Sequence, residues 1–399
     1  MSDLVRYTKP MLGVLTVLHL GTVVRSAWTE LGASSGLAHA DGSPLGGDFV
    51  NMLVAAKLIL AGRMAEIYQP DIFMAFERSL VPTDAGLRLW AYPPHSLLFV
   101  WPLGYLDYWT GFIAWSALGL AVLVWGARRA GFDWLETAII ALSPAAWASV
   151  YFGQTGNLMA GLLLLALAAP RSGPVAAALL TVKPQAGFLL PVLWLVERKF
   201  VAIAIAAGIA VALGLLSLLL FGVDAWRDYL GPTLGLLNTL EREGEGGFMA
   251  MIPSVFIGMR NIVGDAMIAS YVHWVVAAAA AAFAIWAMVR VEAERARWAI
   301  AIAAMAVITP YIHIYDLAPV LVAALLVFNR WQPASTNARA VAGLVTVLVW
   351  ALPLLTLIGN KAAVPVGPLV LIALLIVSAI RVPNSSSVPS LALTEKSQS

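Results

Sequence analysis

The chain has 399 residues, 61% of them apolar and only 12% charged, with a formal net charge of +2 and no cysteine. Soluble proteins carry about 25% charged residues, so a chain of this composition, with a mean hydropathy of +0.86, has too little polar surface for water and is expected to be a polytopic membrane protein. The near-neutral charge excludes a nucleic-acid footprint; the lack of cysteine excludes disulfides, thiol catalysis and thiolate metal sites.

Arg6 and Lys9 precede the first apolar run, Pro10–Trp28, and no convincing small-residue cleavage site is present. The run reads as an uncleaved signal anchor with the N-terminus in the cytoplasm. Residues 32–107 are too polar and interrupted to span and form a long first outer loop. Within it, Gly46-Gly47-Asp48-Phe49 sets a carboxylate on a glycine-flanked loop ahead of an amphipathic helix, Asp48–Leu60. The stripe Phe49, Met52, Leu53, Ala56 and Leu60 would lay that helix in the interface plane. A second short helix covers Asp71–Leu80. After Trp90-Ala91-Tyr92-Pro93-Pro94, the run His95–Trp101 is cut by Pro102 and Gly104, too early to cross. It reads as re-entrant or interfacial, inside an aromatic belt.

Basic clusters bound the later spans. Trp109–Ala127 runs to Arg128-Arg129, Trp134–Tyr151 returns to Gly153-Gln154-Thr155-Gly156-Asn157, and Leu158–Ala169 runs to Arg171. Gly173–Val196 has basic residues at both ends, which requires an even number of crossings. Pro184 breaks it, so it is expected to be a hairpin of two short helices with Lys183 and Gln185 at the outer tip. Val201–Phe221 leads into a second outer loop, about 222–264. Asp265–Met288, Trp298–Thr309, Leu317–Phe328, Val341–Leu357 and Ala362–Ile380 follow. The expectation is an all-α polytopic protein of about twelve crossings in one domain over residues 1–380. A disordered tail, 381–399, follows, and both termini are cytoplasmic.

Five polar sites then share the outer face: Asp48, the Tyr92–His95 stretch, Gln154 with Asn157, Lys183 with Gln185, and His313 with Asp316. Each has a structural reading alone. Asp48 could cap its helix, Lys183 could snorkel, His313 and Asp316 could pair, and the amides could join helices. Together, ionisable groups at membrane depth on one face point to function. The set offers a carboxylate base with cations and amides to receive negative charge. Walker and Rossmann loops, catalytic triads, His-Glu-x-x-His and Asp-x-Asp are absent from the sequence. An enzyme working outside without nucleotides would draw on a lipid-linked activated substrate.

Asp48-Phe49 before an Ala/Leu helix ending Gly62…Ile67-Tyr68, then Trp90-x-Tyr92-Pro93-Pro94, resembles the opening of glycosyltransferase family 87. Gly153-Gln154-x-Gly156-Asn157, Lys183-Pro184-Gln185, Phe221-Gly222-x-x-x-Trp226 and Pro310-Tyr311-x-His313-x-Tyr315-Asp316 are similar to its later landmarks, so the resemblance covers about residues 45–330. It implies a GT-C fold and a polyprenyl-phosphate sugar donor, typically mannose, with Asp48 as catalytic base. An extra-looking stretch, Ala33–Pro44, departs from the pattern, and the acceptor does not transfer with the resemblance. On this reading Asp48 deprotonates the acceptor in a single inverting displacement that needs no metal or cofactor. Lys183, with His313 if protonated, neutralises the departing phosphate. Gln154, Asn157, Gln185, Asp316, Tyr92 and His95 contact sugar or acceptor, and the Tyr92–Leu106 run helps groove the prenyl chain. Asp41 is an alternative base. The rival reading, a secondary transporter or flippase, predicts inverted repeats; the sequence shows none.

Overall fold

The computed structural model describes residues 2–34, 36–81, 88–244, 246–330 and 336–380; the tail 381–399 lies outside them. Among the described residues the chain is helical, and the only extended pairing is an isolated bridge between Ala38 and Pro44. Four helices are long and apolar enough to cross a bilayer: Tyr7–Ala33, Tyr108–Arg129, Phe200–Glu243 and Ala266–Arg290. A fifth candidate is the pair Asn337–Trp350 and Leu352–Lys361, bent by 69°. Long helices therefore supply fewer spans than the twelve crossings expected. Local chemistry explains the difference.

The expected span Trp134–Tyr151 is two helices. Asp133 and Glu136 form a reciprocal capping box at the start of Trp134–Ala141. The helix then stops, because the Ser143 hydroxyl accepts from the Ala146 N–H and Pro144 opens Pro144–Tyr151. Gly173–Val196 breaks at Lys183-Pro184 into Gly173–Leu179 and Leu190–Val196 with single 3-10 turns between. The expected straight span Val341–Leu357 bends at Ala351, ahead of Pro353. Inside Phe200–Asp228, Gly222 leaves helical geometry at φ 82°, ψ 166°, where the second loop was expected to begin.

Tyr108–Arg129 fixes the long axis of the bundle. Asp107 caps it by accepting from Thr110 N–H at 3.0 Å, and its 22 residues extend about 33 Å. Charged pairs gather around its Arg129 end: Lys9 with Glu136 at 2.5 Å, Asn329 with Glu136 at 2.7 Å, and Lys199 with Glu294 at 2.8 Å. At the other end, the Tyr108 hydroxyl donates to the Leu45 carbonyl and its ring meets Phe49 edge-on.

Helix Phe49–Leu60 is not the interfacial helix expected. Phe49, Val50, Met52, Leu53, Val54, Ala55, Ala56 and Leu58 are all buried, which covers more than one stripe. The turns over 94–105 pack on it: a Cβ on Gly104 would stand 2.8 Å from the Ala56 carbonyl oxygen, and Lys57 Nζ donates to the Gly104 carbonyl at 3.3 Å. The His95–Trp101 run is thus a lid on this helix.

Tyr108–Arg129 and Gly156–Ala168 pack most closely of all, through small residues. A Cβ on Gly161 would lie 2.4 Å from the Val122 carbonyl carbon, and one on Gly126 would lie 2.6 Å from the Gly161 carbonyl oxygen. Backbone cannot rotate away, so Gly161→Ala should cost about 1–3 kcal/mol by overpacking. Gly208→Ala, where nothing lies within 4 Å, serves as the control. The expected result is a lowered melting temperature in detergent for the first variant alone.

Candidate functional site

Three loops meet at the Tyr108 end. Gly153 has φ 59°, and a Cβ there would lie 2.3 Å from the Gly46 carbonyl oxygen and 2.5 Å from the Phe49 nitrogen. On Gly156 it would lie 1.8 Å from the Tyr315 carbonyl oxygen. Only glycine permits such contact. The Asp48 N–H also donates to the Phe152 carbonyl at 2.9 Å. The loops carrying Asp48, Gln154 and Tyr315 are therefore fixed on one another by backbone.

They wall a cavity of about 1010 Å³, at the upper end for small-ligand pockets. Asp48, Tyr92, Gln154, Lys183, Gln185 and His313, from five separate stretches of chain, all line it. Asp48 stands at the N-cap of its helix, yet its carboxylate makes no capping bond. It accepts instead from Gln154 Nε2 at 2.5 Å and faces Arg88 Nε at 3.7 Å. Gln154 in turn accepts from the Tyr92 hydroxyl at 3.3 Å. About a third of the Asp48 side chain (35%) is exposed, and that exposure is to the cavity. Burial raises the Asp48 carboxyl above the usual carboxylate range; Arg88, the Gln154 hydrogen bond and Lys183 oppose the rise.

Lys183 is at the break in its hairpin. Its Nζ donates to Asp316 Oδ1 at 2.6 Å and lies 5.2 Å from the centre of the Tyr315 ring. Asp316 thus pairs with Lys183 and not with its neighbour His313, in an ion pair where neither side chain is more than 14% exposed. Asp316 opens on a smaller cavity behind Lys183 and Gln185. His313 stacks flat on Tyr315, with ring centres 4.8 Å apart and planes 3° apart, and tilts against Phe248 at 4.7 Å. Burial pulls its imidazole down to about 4. Burial thus disfavours the protonated form on which its expected phosphate role depends. Its Nδ1 lies 3.1 Å from the Tyr311 carbonyl, which assigns the proton there and leaves Nε2 a buried acceptor.

Besides Asp316, which does not line the large cavity, two expected contacts lie elsewhere. Asn157 is buried between helices: its Nδ2 donates to the Ala146 carbonyl at 2.9 Å and its N–H to the Ser149 hydroxyl at 3.0 Å. It ties the 153–157 turn to Pro144–Tyr151 and does not reach the cavity. His95 faces away as well, stacked on Trp226 and 3.1 Å from the Thr181 hydroxyl. Asp41 lies on the rim, but its carboxylate accepts from the N–H and hydroxyl of Ser43, closing its own turn. Those bonds hold its carboxyl below the usual range, which suits a structural group better than a base.

Arg88 is the functional residue that sequence reasoning passed over. It bridges Asp48 and the buried Glu77, whose Oε1 accepts from Nη1 at 3.0 Å. Its one signal is position, as a lone charge two residues ahead of Trp90-Ala91-Tyr92. The cavity walls also differ in kind. Tyr229, Leu234, Leu237, Phe248, Met249 and Met251 make one side apolar. Polar groups, Asn51, Arg88 and Gln154 among them, line the cavity near Asp48. Of the Tyr92–Leu106 run, expected to help form a groove, only Tyr92 and Pro93 touch the cavity.

The family model for glycosyltransferase family 87 matches residues 90–310. No curated protein and no solved structure matches the chain. The match starts beyond Asp48 and takes in Arg88's neighbour Trp90, Tyr92, Gln154, Lys183 and Gln185, four of which line the cavity. Covering more than half of a helical chain with several membrane-length helices, it shows that the protein belongs to glycosyltransferase family 87.

Proposed function

We infer that this membrane glycosyltransferase moves a sugar, with mannose the expected one, from a polyprenyl phosphate to an acceptor hydroxyl in the cavity around Asp48. One observation carries the reading. A carboxylate that could have capped a helix is turned instead into a large cavity that it shares with a lysine and a neutral histidine. In the reaction the acceptor oxygen forms a bond to the anomeric carbon and the bond from that carbon to the phosphate oxygen breaks. The electron pair leaves with polyprenyl phosphate, and Asp48 takes the acceptor proton. Attack opposite the leaving group inverts the anomeric centre.

Gln154 and Arg88 orient the Asp48 carboxylate for that transfer. Lys183 stands ready to neutralise the leaving phosphate, at the cost of its bond to Asp316. His313 offers Nε2 to a sugar hydroxyl, and gains a proton only if phosphate charge draws one in. Gln185 and Tyr92 reach the sugar from opposite walls. The apolar second-loop wall holds the prenyl chain. The short helices complete about twelve crossings of a GT-C domain, and the positive-inside rule puts the cavity on the non-cytoplasmic side with the charged end in the cytoplasm. Nothing in the cavity favours the transport alternative, which needs a polar path to both faces.

Asp48→Asn should lower transfer by about 10³-fold while lipid-donor binding and the melting temperature stay as in the parent protein; transfer at the parental rate removes Asp48 as base. The pH profile tests the tuning. The base works ionised, so kcat/KM falls on the acid side as pH drops through the Asp48 value, already raised by burial. Arg88 favours the ionised form. Arg88→Gln should therefore move the acid limb to higher pH, and a limb that stays in place would show that Arg88 does not act on Asp48.

A further inference from the structure

The polar half of the cavity holds groups that sugar transfer to a simple alcohol does not need. Asn51 stands one turn beyond Asp48 on the same helix and lines the cavity. Its carboxamide has no partner among the described residues, and Oδ1 is shielded from solvent. The rim beyond it comes from the 37–45 loop, most of which falls in the Ala33–Pro44 stretch that departs from the family pattern. That loop is built, not loose: Leu45 N–H donates to the Leu37 carbonyl at 2.9 Å and His39 N–H to the Ser43 carbonyl at 2.8 Å. It presents His39 and Asp41 to the cavity. Facing them is Tyr151, whose hydroxyl donates to Glu30 at 3.1 Å and whose ring lies 6.1 Å from that of His39.

We propose that Asn51, His39 and Tyr151 form the acceptor subsite, and that it takes a pyranose ring through adjacent hydroxyls, not a lipid alcohol or an apolar side-chain hydroxyl. The chemistry fits point by point. A carboxamide offers both donor and acceptor to neighbouring hydroxyls. Tyr151 supplies an aromatic face with a polar edge. Phe248, a group of the kind an alkyl acceptor would need, lies instead against His313. A hydroxyl held by Asn51 lies one helical turn from Asp48, the distance scale on which i and i+3 side chains meet. The proposal rests on the reading of Asp48 as base, because it orders the polar half around that residue.

The test uses the full-length protein in nanodiscs with polyprenyl-phosphate mannose as donor. The acceptor probes are methyl α-mannoside, octyl α-mannoside and n-octanol. Saturation-transfer NMR reads acceptor binding without turnover, and donor hydrolysis by water reads acceptor-independent chemistry. Asn51→Leu removes a hydrogen-bonding side chain worth about tenfold in affinity. It should raise the KM for the mannosides about tenfold, weaken their NMR signal, and leave donor hydrolysis unchanged. Asn51→Gln should recover part of the loss. Replacing residues 38–44 by a Gly/Ser linker should lower mannoside binding as well. Use of the methyl glycoside identifies a free glycan, and use of the octyl glycoside alone identifies a glycolipid headgroup; either supports the subsite. Preference for n-octanol, or an equal loss of hydrolysis and transfer in Asn51→Leu, overturns it. The Asp48→Asn protein separates the two readings. It should still bind mannoside, and if it also transfers sugar then the base assignment fails while the binding result for Asn51 stands.

Discussion

The site depends on backbone packed directly against backbone. Gly153 and Gly156 let the turn that carries Gln154 rest on the Asp48 loop from one side and on the Tyr315 carbonyl from the other. No side chain separates the three segments. The relative positions of Asp48, Gln154 and the Lys183–Asp316–Tyr315 group are therefore set by main-chain geometry, which has far fewer soft torsions than a set of long side chains. A catalytic constellation needs its parts held within a fraction of an ångström. The chain reaches that rigidity on loops, which are ordinarily the mobile parts of a protein. The closely packed pair Tyr108–Arg129 and Gly156–Ala168 extends the same device into the bundle, since the second of these helices begins at Gly156 itself.

Much of this was legible in the sequence, and the reasons differ from residue to residue. Composition settles the membrane class. Pro184 beside Lys183 marks the hairpin break, because proline in a helix leaves a carbonyl unpaired and that is tolerable only beside a cavity. Gly222 marks the break in the long apolar helix for a different reason, since glycine takes the positive φ of 82° that other residues avoid. Asp48, Gln154, Lys183, Gln185 and His313 were picked out as polar groups in apolar surroundings, and they share one cavity. Asn157 satisfied the same criterion and lies outside it. A buried amide between helices and an amide in a site look alike until the Ala146 carbonyl is seen to take its donor. Arg88 was hidden by the opposite effect. It sits in a polar loop, where a charge is unremarkable, and its importance comes from Glu77 and Asp48, partners that periodicity cannot reveal. Helix Phe49–Leu60 was misjudged because its stripe is real but the other faces are apolar too; only the turns at 94–105 explain what covers them.

Charge pairing changes how the proposed donor is held. Read from sequence, Lys183 is a cation awaiting a phosphate, joined by His313 if that is protonated. In the structure Lys183 is paired with Asp316, His313 is neutral, and Arg88 lies between Asp48 and Glu77. The cavity is then not a cationic sink, and the proposed phosphodiester would gain little from Coulomb attraction on arrival. Its affinity would come mainly from burying the prenyl chain against apolar second-loop residues, at about 25 cal/mol per Å² of apolar surface. That division suits catalysis. Binding energy drawn from a remote apolar chain leaves the electrostatics of the site to respond as charge moves onto the leaving oxygen, and an interaction that strengthens in the transition state is the kind that raises turnover. On the proposed mechanism Lys183 would then exchange Asp316 for the phosphate as the glycosidic bond breaks, while Asp48 would be discharged by the proton it takes up.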